Sequence, residues 1–283
     1  MHDRLATIFN AHQPGVAAGS GSVRISRIGS RSLVTRAFAT SPLRLLTPRN
    51  HGRGAWVYTS TYGGGLVDGD CVHLNVEVEP NAVALIATQA ATKVYRSPRG
   101  TTVQTSCVVG SGGLLIVAPD PVVCFEGAGY RQDQSFELAE SADLVCLDWF
   151  SSGRHAAGER WRFDRYASRI RVRREGRLVM LDAILLDAAD GSLVERLGRF
   201  EVILMAALMG PSIDSHAEAI VRHIEGQPLR ARSNLVVGAS RIAGGGCVLR
   251  IAGTVLEDVW REVRRHLAFV PQLLGDDPWT RKR

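Results

Sequence analysis

The run from Cys71 to Val78 has a period of two, with Val72, Leu74, Val76 and Val78 in one phase and His73, Asn75, Glu77 and Glu79 in the other. A helix cannot separate these two sets, whereas successive side chains of a strand point to opposite faces and do so automatically. The same alternation returns at Val103, Cys107 and Val109, and at Ile170 and Val172 between Arg169, Arg171 and Arg173. Turn signals part these runs at Pro98-Arg99-Gly100, Gly110-Ser111-Gly112-Gly113, Glu175-Gly176 and Asp190-Gly191, and Pro80-Asn81 turns the chain after Val78. Many short strands joined by glycine-rich turns predict a mainly β protein with one large multi-stranded domain. All-β domains commonly reach this length as one unit. No tandem repeat is visible in the residues.

Two α-helices are expected near the C-terminus. Ser215 with Glu218, and Thr254 with Glu257, have capping-box spacing. Behind the second lies a stripe of Leu256, Val259, Trp260, Val263 and Leu267 that reads first as a core face, with Arg261, Arg264 and Arg265 outside it. Between the helices, 234–237 and 247–251 read as a buried hairpin. Residues 1–22, with Ala17-Ala18-Gly19-Ser20-Gly21-Ser22 at their end, read as a flexible lead-in rather than an organelle leader, leaving 23–283 as the β-rich domain.

Charge narrows the function without naming it. The net charge of +6 is weighted to the start: no Asp or Glu falls between Asp3 and Asp68, where Arg4, Arg24, Arg27, Arg31, Arg36, Arg44, Arg49 and Arg53 all occur. An arginine-bearing strand face suits plain solvation or an acidic protein partner. No nucleic-acid motif accompanies it, so nucleic acid is not expected as a partner. Five cysteines, odd in number and without a C-x-x-C pair, point to reduced thiols and a cytoplasmic setting. The longest apolar run, Val202 to Met209, is too short to span a bilayer as a helix, and no membrane partner is expected.

Familiar catalytic motifs are absent. The stretch Gly63-Gly64-Gly65-Leu66-Val67-Asp68-Gly69-Asp70 has the glycines of a phosphate loop but no lysine, and its aspartates would repel a phosphate. No zinc-type cluster occurs, and no tight metal site is expected. His216 and His223, two turns apart on a predicted helix, read as surface residues before they read as a metal pair. Asp68, Asp70, Asp120, Glu126, Asp148 and Glu159 sit at strand ends or turns, where a β-rich hydrolase could place an acid and a base. Turns also recruit Asp for local hydrogen bonds, so both readings stay open.

Two blocks in order, Gly63 to Asp70 and then Thr88-Gln89-Ala90-Ala91-Thr92-Lys93-Val94-Tyr95-Arg96-Ser97, resemble the signature of the urease accessory protein family UreD, also called UreH. Further blocks, Pro119 to Phe125 and Asp148 to Trp161, resemble its plant and fungal branch, and Pro42-Leu43-Arg44 and Pro278-Trp279 extend the likeness over roughly residues 22–280. Tyr62-Gly63 and Gln89-Ala90 stand where many bacterial members have two prolines and a Pro-Gly pair.

The resemblance implies a protein with no turnover of its own that binds UreF, through it the GTPase UreG, and apo-urease, and helps deliver Ni²⁺ to the urease active site. GTP would belong to the partner GTPase alone. Nickel would cross an internal passage weakly held, on Asp70 and Asp148 with Asp68 and Glu126 as further acids. Loose carboxylate contact suits an ion that must be released. Gly64, Gly65 and Gly69 are expected to supply positive-φ turns. Lys93, Tyr95 and Arg96 are expected either to pair with Asp68 or Asp70 or to line the passage. Thr92 and Asp120 are expected as motif residues with structural roles, and Arg154 with Glu159 as a structural ion pair. Trp260 and Leu267 are the candidates for the UreF interface, set against a pure core role.

Overall fold

The alternation around Val76 places Val72, Leu74, Val76 and Val78 in the core. The computed structural model describes residues 18–154, 157–228 and 231–281. These form two sheets, their strands numbered here in chain order. One sheet has seven strands in the order β14 (Arg177–Asp187), β13 (Arg165–Arg174), β11 (Gly129–Leu138), β8 (Thr101–Val109), β5 (Cys71–Val78), β1 (Ser20–Ile28) and β2 (Arg31–Ala39). The second runs β16 (Leu235–Arg241), β17 (Cys247–Gly253), β15 (Val202–Met209), β12 (Asp143–Ser151), β9 (Leu114–Ala118), β6 (Val83–Thr88), β4 (Ala55–Thr61) and β3 (Leu43–Leu46). The short strands β10 (Val122–Cys124) and β7 (Thr92–Val94) join it through β12.

The middle of the chain winds back and forth between the sheets. Strands β5, β8, β11 and β13 lie parallel in one sheet and β4, β6, β9 and β12 parallel in the other. Val78, Val109 and Leu138 stack in register, and so do Val83, Leu114 and Asp143, so each coil takes about 30 residues, within the range of solenoid repeats. The turns repeat as well: Ala82 N–H donates to Glu79 O, Gly113 N–H to Gly110 O and Ala142 N–H to Ala139 O. This repeat escapes the sequence because a four-residue turn is set by backbone geometry. It is filled by Glu-Pro-Asn-Ala, then Gly-Ser-Gly-Gly, then Ala-Glu-Ser-Ala.

One apolar core lies between the sheets and includes Ile25, Leu115, Phe136, Tyr166 and Val172. A second lies on the outer face of the ten-stranded sheet, under the helices, and includes Trp56, Leu147, Leu204, Val259 and Leu267. The polar face of the seven-stranded sheet carries cross-strand ion pairs, Arg169 and Arg171 with Asp133, Arg173 with Glu137 and Arg24 with Glu77. The early arginines are thereby partly committed: besides Arg24, Arg31 donates to the carbonyls of Asn50 and Gly52, and Arg53 to that of Leu273.

The described residues also form α-helices α1 (Leu193–Leu197), α2 (Asp214–Glu225), α3 (Leu256–His266) and α4 (Val270–Leu274), with short 3-10 turns at Tyr62–Gly64, Ala188–Asp190 and Pro278–Arg281. The two capping boxes do not form. Helix α2 begins at Asp214, its first turn set by Gly210 O accepting from Ile213 and Asp214, so Ser215 falls inside the helix. Thr254 is still bonded to Asn234 O as an extension of the β16–β17 ladder, and Val255 precedes α3 without a side-chain cap. Residues 234–237 and 247–251 do form a hairpin, but β16 is the sheet's outer strand and half exposed, while β17 is buried. Ser20 to Ser22, read from sequence as part of the lead-in, pair with His73 to Asn75 of β5. Residues 1–17 lie outside the described residues.

Candidate functional site

A cavity of about 300 Å³ lies between the sheets. Its rim is formed by Gly64, Gly65, the segment Thr88 to Thr92, and Asp120. Gln89, Ala90 and Gly64 are exposed, so this end meets solvent. The inner wall contains Val103, Thr105, Gln132 and Gln134 from the seven-stranded sheet, opposite Val117 and Asp148 from the other. At a liquid-water share of about 30 Å³ each, this volume has room for roughly ten waters.

Asp148 is held in a polar cluster inside an otherwise apolar sandwich. Its Oδ1 accepts from Gln132 Nε2 at 3.0 Å and its Oδ2 from Ser168 Oγ at 2.6 Å. Gln132 Nε2 also reaches Ser168 Oγ at 3.2 Å, and its Oε1 accepts from the Tyr130 hydroxyl at 2.9 Å. Protein surrounds the carboxylate, and the surface it retains faces the cavity. Burial pushes its pKa up, the Ser168 and Gln132 hydrogen bonds pull it partly back, and the nearby negative Asp182 pushes it up further. Burial likewise raises the Tyr130 and Tyr166 hydroxyls far above the ordinary tyrosine value, so both stay protonated donors.

Of the other acids named from the sequence, Asp68, Asp70, Glu126 and Glu159 do not line this cavity. Asp70 Oδ2 accepts from Val67 N–H at 2.8 Å, and Asp70 N–H returns to Val67 O, so the residue closes its own turn. Asp68 is taken by Arg99, whose Nε and backbone N–H both approach at 2.8 Å, and this guanidinium holds the carboxyl below the usual range. The partner of Asp68 is thus Arg99, not Lys93, Tyr95 or Arg96. Lys93 and Arg96 are exposed, and Tyr95 packs edge-on against Phe125. Glu126 lies at the surface, paired with Arg162. Asp120 and Thr92 do lie at the cavity, and Asp120 N–H donates to Thr88 Oγ1 at 2.7 Å.

Gly64 and Gly69 have φ of 72° and 85°, as a turn with positive φ requires. Gly65 does not: its φ is 171°, ordinary extended backbone. A Cβ there would stand 2.6 Å from the Tyr95 ring and 2.7 Å from Lys93 O, so close approach at the rim is what demands glycine. Arg154 and Glu159 form their ion pair, with Arg154 also over the Phe125 ring, and the arginine keeps the Glu159 carboxyl low. Leu267 is fully buried in the helix layer and offers no surface to a partner. Trp260 is partly buried, stacked on Trp149 and edge-on to Trp279. His216 stacks on Phe269, and His223 contacts Gln227 and Arg265.

Reasoning from the sequence missed Tyr130, Gln132, Gln134, Tyr166 and Ser168. Their signal was a polar residue in the apolar phase of a strand: Gln132 and Gln134 share a face with Tyr130, Phe136 and Leu138, and Ser168 with Tyr166, Ile170 and Val172. Among the described residues no three His, Cys, Asp or Glu side chains gather as a metal cluster, no disulfide forms, and no helix is long and apolar enough to cross a membrane.

A family model described as UreD urease accessory protein matches residues 17–283. The "Urease accessory protein UreD" of Sorangium cellulosum (strain So ce56) is 50% identical over 265 residues, covering 94% of this chain and 84% of that protein. The "Urease accessory protein D" of Oryza sativa subsp. indica is 33% identical over 304 residues, 95% and 98% of the two chains. An "Uncharacterized urease accessory protein ureD-like" of Schizosaccharomyces pombe is 31% identical over 224 residues, 74% and 77% of the two.

Proposed function

Because the chain belongs to the UreD family of urease accessory proteins, we propose that its cavity is a conduit along which nickel passes, loosely held, toward apo-urease. In this reading the protein turns over no substrate. It is a cytoplasmic scaffold that binds UreF, through it the nickel-loaded GTPase UreG, and the urease structural subunits.

The single observation that carries this reading is the Asp148 cluster. A lone carboxylate at the inner wall of a cavity open at the other end is costly to keep charged in an apolar sandwich. A passing divalent cation offsets that cost by pairing with it. The remaining groups are neutral: Gln132 and Ser168 donate to the carboxylate, and the Tyr130 hydroxyl donates to Gln132 Oε1. One anionic ligand with neutral neighbours supports partial dehydration and ready release, where a thiolate or imidazole cage would trap the ion.

The hydrolase reading finds less support. Of the six carboxylates considered, Asp68, Asp70, Glu126 and Glu159 are committed to Arg99, the 67–70 turn, Arg162 and Arg154 respectively. The deciding experiment co-expresses urease and its accessory proteins with Asp148→Asn and measures nickel per urease active site. Nickel content should fall while the variant still co-purifies with UreF and urease. Full nickel content would overturn the conduit.

A further inference from the structure

On β5 the side chains of Val72 and Leu74 enter the inter-sheet core, so Cys71 and His73 stand side by side on the opposite, outer face of the seven-stranded sheet. Both are half-buried, and Cys71 Sγ lies 3.0 Å from His73 Nε2. Gln104 lies opposite His73 on β8 and hydrogen-bonds its ring, which orients the imidazole. The other four cysteines are buried. Cys71 is therefore the thiol that an ion in solution can reach.

The spacing decides which ions the pair suits. With bonds of about 2.3 Å to a thiolate and about 2.1 Å to an imidazole nitrogen, the two donor atoms stand about 3.1 Å apart across a right angle and about 3.6 Å apart across a tetrahedral one. The observed 3.0 Å matches the right angle. A divalent ion of square-planar preference can bind here with little movement of either side chain, whereas zinc has to push them apart. The thiol proton leaves to solvent as the sulfur–metal bond forms. Among the described residues no third His, Cys, Asp or Glu joins the pair, so water keeps the remaining positions. Arg131 is close enough to act on both groups, and its positive charge opposes an arriving cation. Two protein ligands beside a guanidinium make a site that exchanges its ion.

We propose that Cys71 and His73 are a two-point sulfur-and-nitrogen chelate for a divalent transition ion of square-planar preference, on the face of the sheet turned away from the cavity. The sheet itself, with Val72 and Leu74 on its inner side, separates this site from the cavity they line. The chelate is independent of the conduit reading above and exchanges its ion with solution directly.

The test titrates the purified full-length chain with nickel(II) under a non-thiol reductant and reads the thiolate-to-nickel charge-transfer absorption, which histidines alone do not give. Wild type should show a band that saturates at one ion per chain. Cys71→Ser should abolish the band, and His73→Gln should move saturation to about tenfold higher nickel or beyond. Equimolar zinc should leave the band in place; its displacement by zinc overturns the square-planar assignment. Asp148→Asn should keep the whole band, so the conduit can fail while this site stands. If Cys71 and His73 share only a hydrogen bond, no band appears at millimolar nickel, and that result overturns the proposal, as does a band that survives Cys71→Ser. Should Cys71→Ser lower the thermal midpoint, wild type decides alone: bound nickel must slow alkylation of Cys71 by iodoacetamide, and an unchanged alkylation rate overturns the proposal.

Discussion

Replacing Asp148 by asparagine should change how stability depends on pH, in a direction the site fixes. Asparagine keeps the shape, its Oδ1 can accept from Gln132, and the Ser168 hydroxyl can rotate to accept from the new amide. The substitution therefore removes the charge with little change in packing. Burial raises the wild-type carboxyl pKa above its ordinary value of 3.8. Below that value both folded and unfolded chains carry a neutral acid, and the site has no pH-dependent cost. As pH rises, the unfolded chain releases its proton first, so the folded state binds more protons and stability falls until the folded carboxyl has also ionised. Each tenfold difference in acidity between the two states is worth about 1.4 kcal/mol. In a chain of this length that is about 2–3 °C in thermal midpoint. Calorimetry of both proteins from about pH 3.5 to 8 should show the Asp148→Asn midpoint gaining on wild type as pH rises above 3.8, then holding a constant lead. Parallel curves across the whole range would refute the claim that this carboxylate is buried at the cost of its charge.

Much of the architecture was legible because strand burial leaves a period of two in the residues, as at Val72 to Val78, and because helix α3 shows its apolar stripe at Val259, Val263 and Leu267. The coil repeat was not, since its turns constrain backbone angles more than side chains. Asp148 was reached through family likeness and stands at the cavity, while Asp70 was reached the same way and serves its own turn. A turn aspartate and a cavity aspartate look alike in one dimension. What separates them is phase: Asp148 shares the strand face of Cys146 and Phe150, both buried in the inter-sheet core, whereas Asp70 precedes its strand. The helix caps were misread because capping-box spacing says nothing of where the preceding strand lets go of its ladder, as Thr254 shows.

Two further outcomes test the packing around the site. Gly65→Ala should cost about 1–3 kcal/mol, because the Tyr95 ring can move aside but the Lys93 carbonyl, which accepts from Leu66 N–H, cannot; an unchanged denaturant midpoint would show that the rim is looser than described. Trp260→Ala should cost about 3 kcal/mol through loss of its stacking on Trp149 and its edge contact with Trp279. If binding to UreF were lost with no change in stability, Trp260 would belong to a docking surface instead.

The central claim is that the space between the sheets is the route nickel takes, and filling that space tests it most directly. Thr105 lines the cavity opposite Gln134, so Thr105→Phe places a ring in the passage while leaving Asp148 and the outer surface intact, and Thr105→Val serves as the unfilled control. With urease and its accessory proteins co-expressed, the phenylalanine variant should co-purify with its partners yet leave urease short of nickel, and the valine variant should load it fully. Full nickel content with the passage filled would contradict the account.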